Sequence, residues 1–189
     1  MTEKRGFSWD LDHAIAIGPQ LHRILRERIV SNDLSPGQKI SETELSKAYA
    51  ISRQPVREAF IKLAEEGLID VRPQRSTVVR KIDFDAVLDA RFVREAIEAD
   101  IVKLASERSD PVVVAKLRAQ LVEQRRVAKE QPLNFIQLDE LFHRTLAEAA
   151  NKTNAWSFIE GLKAQMDRVR YLSLSHFPID KLIEQHEEI

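Results

Sequence analysis

The sequence predicts a mainly α protein with two parts: an N-terminal winged helix-turn-helix of three helices plus a two-stranded wing, followed by an all-α helical bundle. Two observations predict this fold class. Between Ile51 and Val79 an arginine-rich helix, a glycine stop and two strands around an arginine-bearing turn follow one another, which is the order of a winged helix-turn-helix. After Val79, apolar residues recur at helical spacing and no strand pattern appears.

Composition limits the classes of protein to which the chain can belong. Its 189 residues are enough for two small cores, and the absence of cysteine excludes disulfides and thiolate metal sites. Residues 1–80 carry a net charge of +2 and residues 81–189 a net charge of −3, an asymmetry too weak to identify DNA binding without a motif. The apolar runs are too short to cross a bilayer, and no secretion signal is recognisable. We therefore expect a soluble, cytoplasmic protein.

Two helices are predicted before the arginine-rich segment. Apolar residues follow Pro19 at helical spacing and predict the first helix. Ser41 stands three residues before Glu44, which is the spacing of a capping box, and it begins a short second helix. The turn after this helix leads directly into the third.

The third helix is the predicted DNA-recognition element. Ser52 can cap its N-terminus, its first turn holds Arg53 and Pro55, and Gly67 ends it. Arg53 and Arg57 are four residues apart, so they leave the same face near the N-terminus, where recognition helices meet the major groove. We predict that both contact phosphate or guanine. The alternative is that they are ordinary solvated arginines, one of them paired with Glu58.

A wing is predicted after the recognition helix. Strands at 68–72 and 77–79 flank a four-residue turn that contains Arg75. Arg75 is therefore a third candidate DNA contact, with a purely solubilising charge at the hairpin tip as the alternative. Lys62 lies farther along the helix and is interpreted as a surface lysine.

Five helices are predicted after residue 80, each with apolar residues on one side, so that they form a bundle. Asp83 caps the first of these helices, Asp110 and Pro111 start the second, and Pro132 precedes the third. The fourth helix runs from about Asn154 through Phe158 and Leu162 to Val169. The last helix begins at Asp180.

An aspartate and a histidine interrupt the apolar face of the third bundle helix. Asp139 and His143 share this face with Phe135 and Phe142, and an unpaired buried carboxylate would cost several kcal/mol. Four residues apart, Asp139 and His143 can bind one ion, to which His186 adds a ligand from another helix. A hydrogen bond between Asp139 and His143 that merely orders the core is the alternative.

Several of these segments resemble a known family. The segments ISRQPVREAF (51–60), GLI (67–69) and VRPQRSTVV (71–79) resemble the GntR family of bacterial repressors. DELFH (139–143), Asn151 and EQHEEI (184–189) resemble the C-terminal domain of its FadR-type subfamily. The resemblance covers nearly the whole chain.

The resemblance implies a ligand-responsive transcriptional regulator and no enzyme. Residues 1–80 would bind double-stranded operator DNA, and residues 81–189 would bind an effector and dimerise. A homodimer would occupy a palindromic operator and be released by a small organic acid. The implied DNA-contacting residues are Arg53, Arg57, Arg75, Thr43, Ser52 and Gln54, although Thr43 stands where many relatives have arginine and Ser76 replaces the usual wing glycine.

The resemblance also implies a divalent metal ion, zinc or nickel, in the bundle. The FadR-type site uses an aspartate and three histidines, of which Asp139, His143 and His186 match. The third histidine is expected beyond Ile189, which predicts that the protein continues past this residue, and His176 is a weak substitute. Nitrogen and oxygen ligands alone do not select one metal.

Arg94 is the implied effector-binding residue, because the family pattern places a carboxylate-binding arginine four residues before a glutamate, here Glu98. A surface ion pair between Arg94 and Glu98 is the alternative, and Arg91 is a competing candidate.

Two other functions fit the same motifs. One is a metal-dependent enzyme that uses Asp139, His143 and His186 and is tethered to a DNA-binding head, but no general base or nucleophile is placed by a motif. The other is a constitutive DNA-binding protein whose helical part only dimerises.

Overall fold

The computed structural model describes residues 9–71, 76–108, 110–176 and 178–189. The chain divides into two compact units, with the division between Asp83 and Phe84. Helices predominate in the described parts of both units, which confirms the predicted mainly α class. None of the helices among these residues is long and apolar enough to cross a membrane. The assignment of DNA binding to residues 1–80 and of effector binding to residues 81–189 stays a prediction.

Within residues 9–71 and 76–83, the first unit contains three helices and a small antiparallel sheet. Its elements are α1 (Ile17–Val30), β1 (Lys39–Ile40), α2 (Glu42–Ala48), α3 (Arg53–Glu65), β2 (Ile69–Asp70) and β3 (Thr77–Val79). The sheet order is β1-β3-β2. The two predicted wing strands are thus joined by a third, β1, whose Ile40 lies opposite Thr77. Strand β1 was not predicted, because two residues are too few to show the alternation of apolar and polar side chains that indicates a strand.

Packing against α1 holds the recognition helix α3 in place. Helix α1 contributes the fully buried Leu21, Ile24, Leu25 and Ile29 to this core, and α3 contributes the buried Val56, Ala59, Phe60 and Leu63. Gly67 has a φ of 69°, and its N–H donates to the Ala64 carbonyl at 3.0 Å. The predicted glycine stop is confirmed, because this left-handed residue ends α3 and turns the chain into β2.

The two predicted serine caps differ. Ser41 Oγ accepts the N–H of Glu44 at 3.5 Å, which is one of the two hydrogen bonds of a capping box. Ser52 occupies the cap position of α3, but its side chain makes no capping hydrogen bond, so the prediction that its hydroxyl caps the helix was wrong. The third helical residue is Pro55, which has no N–H to offer the cap.

The described residues of the second unit form six α-helices. They are α4 (Phe84–Arg108), α5 (Pro111–Glu130), α6 (Pro132–Ala149), α7 (Thr153–Leu162), α8 (Ala164–Ser173) and α9 (Ile179–Glu187), with a short 3-10 turn at Leu174–His176. Asp110 caps α5 through a 2.8 Å hydrogen bond from the Val112 N–H. The described part of this unit contains no strand, as predicted.

The predicted fourth bundle helix is two helices, α7 and α8, which meet at Lys163. The predicted inward residues Phe158 and Leu162 are 73% and 52% exposed, whereas Trp156 and Ile159 are buried. Apolar residues occur on both sides of α7, so their spacing could not show which side faces the core. The prediction of one continuous helix with Phe158 and Leu162 inside was wrong.

Helix α6 lies in the middle of the second unit. It contacts α4, α5, α7 and α8, and α9 packs against α5. The core includes Ile101, Phe142, Leu146, Trp156 and Ile159. Because its neighbours surround α6 on several sides, the polar residues Asp139 and His143 face the interior.

Candidate DNA-binding surface and metal centre

The two predicted recognition arginines are exposed at the N-terminal half of α3. Arg53 and Arg57 each have 64% of the side chain exposed, and both reach Glu42, the first residue of α2. Arg53 Nη2 lies 3.3 Å from one carboxylate oxygen of Glu42, and Arg57 Nε lies 3.6 Å from the other. The predicted alternative partner, Glu58, instead accepts a hydrogen bond from Gln54 at 3.0 Å.

The other candidate DNA contacts lie near the same helix end or outside the described residues. Thr43, Ser52 and Gln54 are exposed, so their side chains are accessible to a ligand. Arg75 lies outside the described residues. Motif reasoning missed Glu42, because the helix dipole already explains an acidic residue in the first turn of a helix.

Asp139, His143 and His186 form one cluster inside the helical bundle. Their potential ligand atoms all lie within 4.8 Å of one another. Asp139 Oδ1 lies 3.4 Å from His186 Nε2 and 3.9 Å from His143 Nε2. His176 is exposed and is not a member of this cluster.

Polar partners orient both histidine rings. His186 Nδ1 lies 3.1 Å from the Gln124 side-chain oxygen, and His143 Nδ1 faces a Glu98 oxygen at 3.5 Å. The Gln124 oxygen favours the ring proton of His186 at Nδ1, which would leave its Nε2 available to a cation, whereas the Glu98 oxygen is an ion-pair neighbour of His143 Nδ1 and makes no hydrogen bond to it. Burial lowers the pKa of both histidines, that of His143 to about 3, so both rings are neutral near pH 7. One potential ligand atom from each of Asp139, His143 and His186 therefore lies at the same place. A carboxylate oxygen and two imidazole nitrogens are suitable ligands for a cation.

Arg170 on α8 neutralises the aspartate of this cluster. Its Nη2 donates to Asp139 Oδ2 at 2.5 Å, so that Oδ1 is the oxygen left facing the histidines. Burial alone would raise the pKa of Asp139, but the positive charge of Arg170, with a contribution from Arg94, lowers this pKa to about 2. The carboxylate is therefore ionised at neutral pH. Sequence reasoning missed Arg170, because its pairing with Asp139 spans 31 residues.

Arg94 lies beside the same cluster. Its Nε donates to Glu98 at 2.7 Å, and only 15% of the Arg94 side chain and 18% of the Glu98 side chain are exposed. The pair is therefore not the fully solvated surface pair considered as the alternative. Arg91, the competing candidate, is 68% exposed and pairs with Glu95 at the surface. Burial raises the pKa of Glu98.

Comparisons with known proteins identify both units. The family "Bacterial regulatory proteins, gntR family" matches residues 19–79, and the FCD domain family matches residues 89–189. The chain is 43% identical over 175 residues to the HTH-type transcriptional repressor RspR of Escherichia coli K12, covering 92% of this chain and 77% of RspR. The chain belongs to the GntR family.

Further similarities agree with membership of the GntR family. An uncharacterized HTH-type transcriptional regulator in an unstable DNA locus of Streptomyces ambofaciens is 39% identical, covering 87% of this chain and 70% of that protein. The solved structure of E. coli McbR/YncC shares the fold with a TM-score of 0.73 at 21% identity, over 92% of this chain and 82% of that one. This GntR-family protein is a DNA-binding transcriptional regulator and not an enzyme, as predicted.

Proposed function

We propose that this GntR-family protein is a repressor that binds a palindromic operator as a homodimer and is released by a small organic acid. The observation that carries the proposal is the pair of exposed guanidinium groups of Arg53 and Arg57 at the N-terminal half of α3. In helix-turn-helix proteins this part of the recognition helix meets the base edges of the major groove. Arginine is the side chain that most often binds guanine there.

The experiment that tests this function needs no knowledge of the natural operator. The protein selects a binding duplex from a random-sequence library, and its affinity for this selected duplex is compared with that for a scrambled duplex of equal composition. We expect the selected sequence to be palindromic and to bind at least about 1000-fold more tightly. Mono- and dicarboxylates are then added to the complex, and at least one should release the DNA. Failure to enrich any sequence would refute DNA recognition, and release by none of the acids would refute the effector part.

An exposed apolar stripe on α4 supports the homodimer. Phe84, Leu88 and Phe92 are 69%, 48% and 76% exposed and recur every four residues, so they lie along one side of the helix. The stripe is symmetric about Leu88. In an antiparallel pair of α4 helices with the two-fold axis at Leu88, Phe84 meets the second copy's Phe92, and Asp85 lies opposite the second copy's Arg91. The stripe therefore has the apolar and charge complementarity that an isologous contact needs.

Leu88→Glu is expected to convert the dimer to monomers, because two carboxylates would meet at the symmetry axis in an apolar contact. Light scattering after gel filtration measures the mass, and affinity for the selected duplex should fall because each molecule then holds one half-site. The control is Val122→Glu, which places the same charge at an apolar residue of α5 that is 70% exposed. A dimeric Leu88→Glu protein, or equal dissociation of the control, would contradict this surface.

We also propose that Asp139, His143 and His186 hold a divalent metal ion and that Arg94 contacts the effector carboxylate. In the metal-free cluster, the charges of Arg94 and Arg170 balance those of Glu98 and Asp139. A bound divalent ion would supply net positive charge and an electrophilic contact for a carboxylate. Arg94 could add a second, charge-assisted contact at the same place. Effector binding is then expected to change the spacing of the two heads in the dimer, which must match half-sites about one helical turn apart.

A further inference from the structure

A single carboxylate lies between the two recognition arginines. The oxygens of Glu42 divide between them, with one 3.3 Å from Arg53 Nη2 and the other 3.6 Å from Arg57 Nε. The Glu42 side chain is 22% exposed, whereas each arginine side chain is 64% exposed. Arg53 thus donates one hydrogen bond to Glu42, whereas Arg57 contacts the same carboxylate as an ion pair without a hydrogen bond, and most of both arginine side chains remains exposed.

The position of Glu42 is not explained by helix stabilisation alone. An acidic residue in the first turn of α2 interacts favourably with the helix dipole, but Glu44 in the same turn already does so. Glu44 is exposed, and within the described part of the chain no ion pair engages it. Glu42 instead places a negative charge on the face that would approach a polyanion, which weakens sequence-independent binding.

We infer that Glu42 is a positioning residue for base recognition, and the inference rests on the proposed role of Arg53 and Arg57. By pairing with both guanidinium groups, Glu42 restricts both long side chains before DNA arrives. A planar guanidinium held in this way loses less conformational freedom when it binds guanine through two hydrogen bonds. The same negative charge opposes binding to phosphates of any sequence. Glu42 therefore favours sequence-specific over non-specific DNA binding.

The test compares Glu42→Gln with the matched control Glu44→Gln, which removes the same charge from the same helical turn. For each protein, the affinity for the selected duplex is divided by that for the scrambled duplex. We expect Glu42→Gln to lower this ratio about five- to tenfold while affinity for the scrambled duplex stays equal or rises. Glu44→Gln should leave the ratio unchanged. Thermal unfolding of both variants checks that α2 is intact.

A double-mutant cycle separates positioning from a direct effect. In a protein that already carries Arg53→Ala and Arg57→Ala, the further change Glu42→Gln should leave the ratio unaltered, because nothing remains to be positioned. The inference is overturned if Glu42→Gln leaves the ratio of the otherwise unchanged protein intact, or if it lowers the ratio equally without the arginines. Two other results would instead contradict the proposed DNA recognition itself. Either the library would yield no selected duplex, or the protein with Arg53→Ala and Arg57→Ala would bind the selected duplex as tightly as the unchanged protein.

Discussion

Replacing both Arg53 and Arg57 by alanine is expected to weaken operator binding by at least about 30-fold. Each arginine that binds a base contributes about 1–3 kcal/mol, and the two lie close enough for their effects to depart from additivity. The fold should be preserved, because both side chains are 64% exposed and their ion pairs with Glu42 lie at the surface. Fluorescence anisotropy with the selected duplex, repeated at several salt concentrations, measures the loss.

A matched double variant controls for charge. Arg23 on α1 and Lys62 on α3 are also exposed and belong to the same unit. The variant Arg23→Ala with Lys62→Ala therefore removes the same net charge away from the N-terminal half of α3. We expect it to lose far less affinity for the selected duplex. If both double variants lost affinity equally, the arginines would act only through net charge, and base recognition by Arg53 and Arg57 would be wrong.

Asp139→Ala is expected to destabilise the protein by about 3–5 kcal/mol, because it leaves the largely buried Arg170 without its closest carboxylate. The same change should abolish metal binding. Asp139→Asn separates the two effects. Its carbonyl oxygen can still accept from Arg170, and its amide can donate to a histidine Nε2, so the metal-free protein should remain folded. An amide is nevertheless a much weaker ligand than a carboxylate.

Thermal unfolding with and without added zinc or nickel measures both effects. A metal at 100 times its dissociation constant should stabilise the wild-type protein by about 2.7 kcal/mol. Asp139→Asn should lose this gain, and His176→Ala, which changes an exposed histidine outside the cluster, should keep it. A wild-type protein that neither metal stabilises would refute the metal site. An Asp139→Ala protein of unchanged stability would refute the role given to the pair with Arg170.

Local signals predicted the helix ends better than they predicted the partners of buried polar groups. The Asp110 cap, the Ser41 capping box and the Gly67 stop are each decided within a few residues, and the structure contains all three. Pro55 removes the N–H of the third helical residue of α3, but the N–H of Gln54 at the second position remains, and Asp110 caps α5 through that same position, so the failed cap at Ser52 was not decidable from the sequence.

The residues of the candidate sites that the sequence did not predict are brought together only by tertiary packing. Arg170 meets Asp139 across 31 residues, and Gln124 meets His186 across 62. Arginine and glutamine occur throughout the chain, so neither periodicity nor composition selects these two. The same limit applies to Glu42, which reaches Arg53 only when α2 and α3 pack together. Sequence patterns thus indicated which residues could bind DNA or metal, but not which neighbours would orient them.

The pairing of Asp139 with Arg170 has a consequence inside the cell. Since the aspartate is already neutralised by a side chain of its own bundle, we expect the polypeptide to reach its native fold before any ion arrives, unlike small domains that fold only on metal binding. Depletion of the proposed metal ion would then leave the protein folded and change only the fraction of folded molecules that carry the ion.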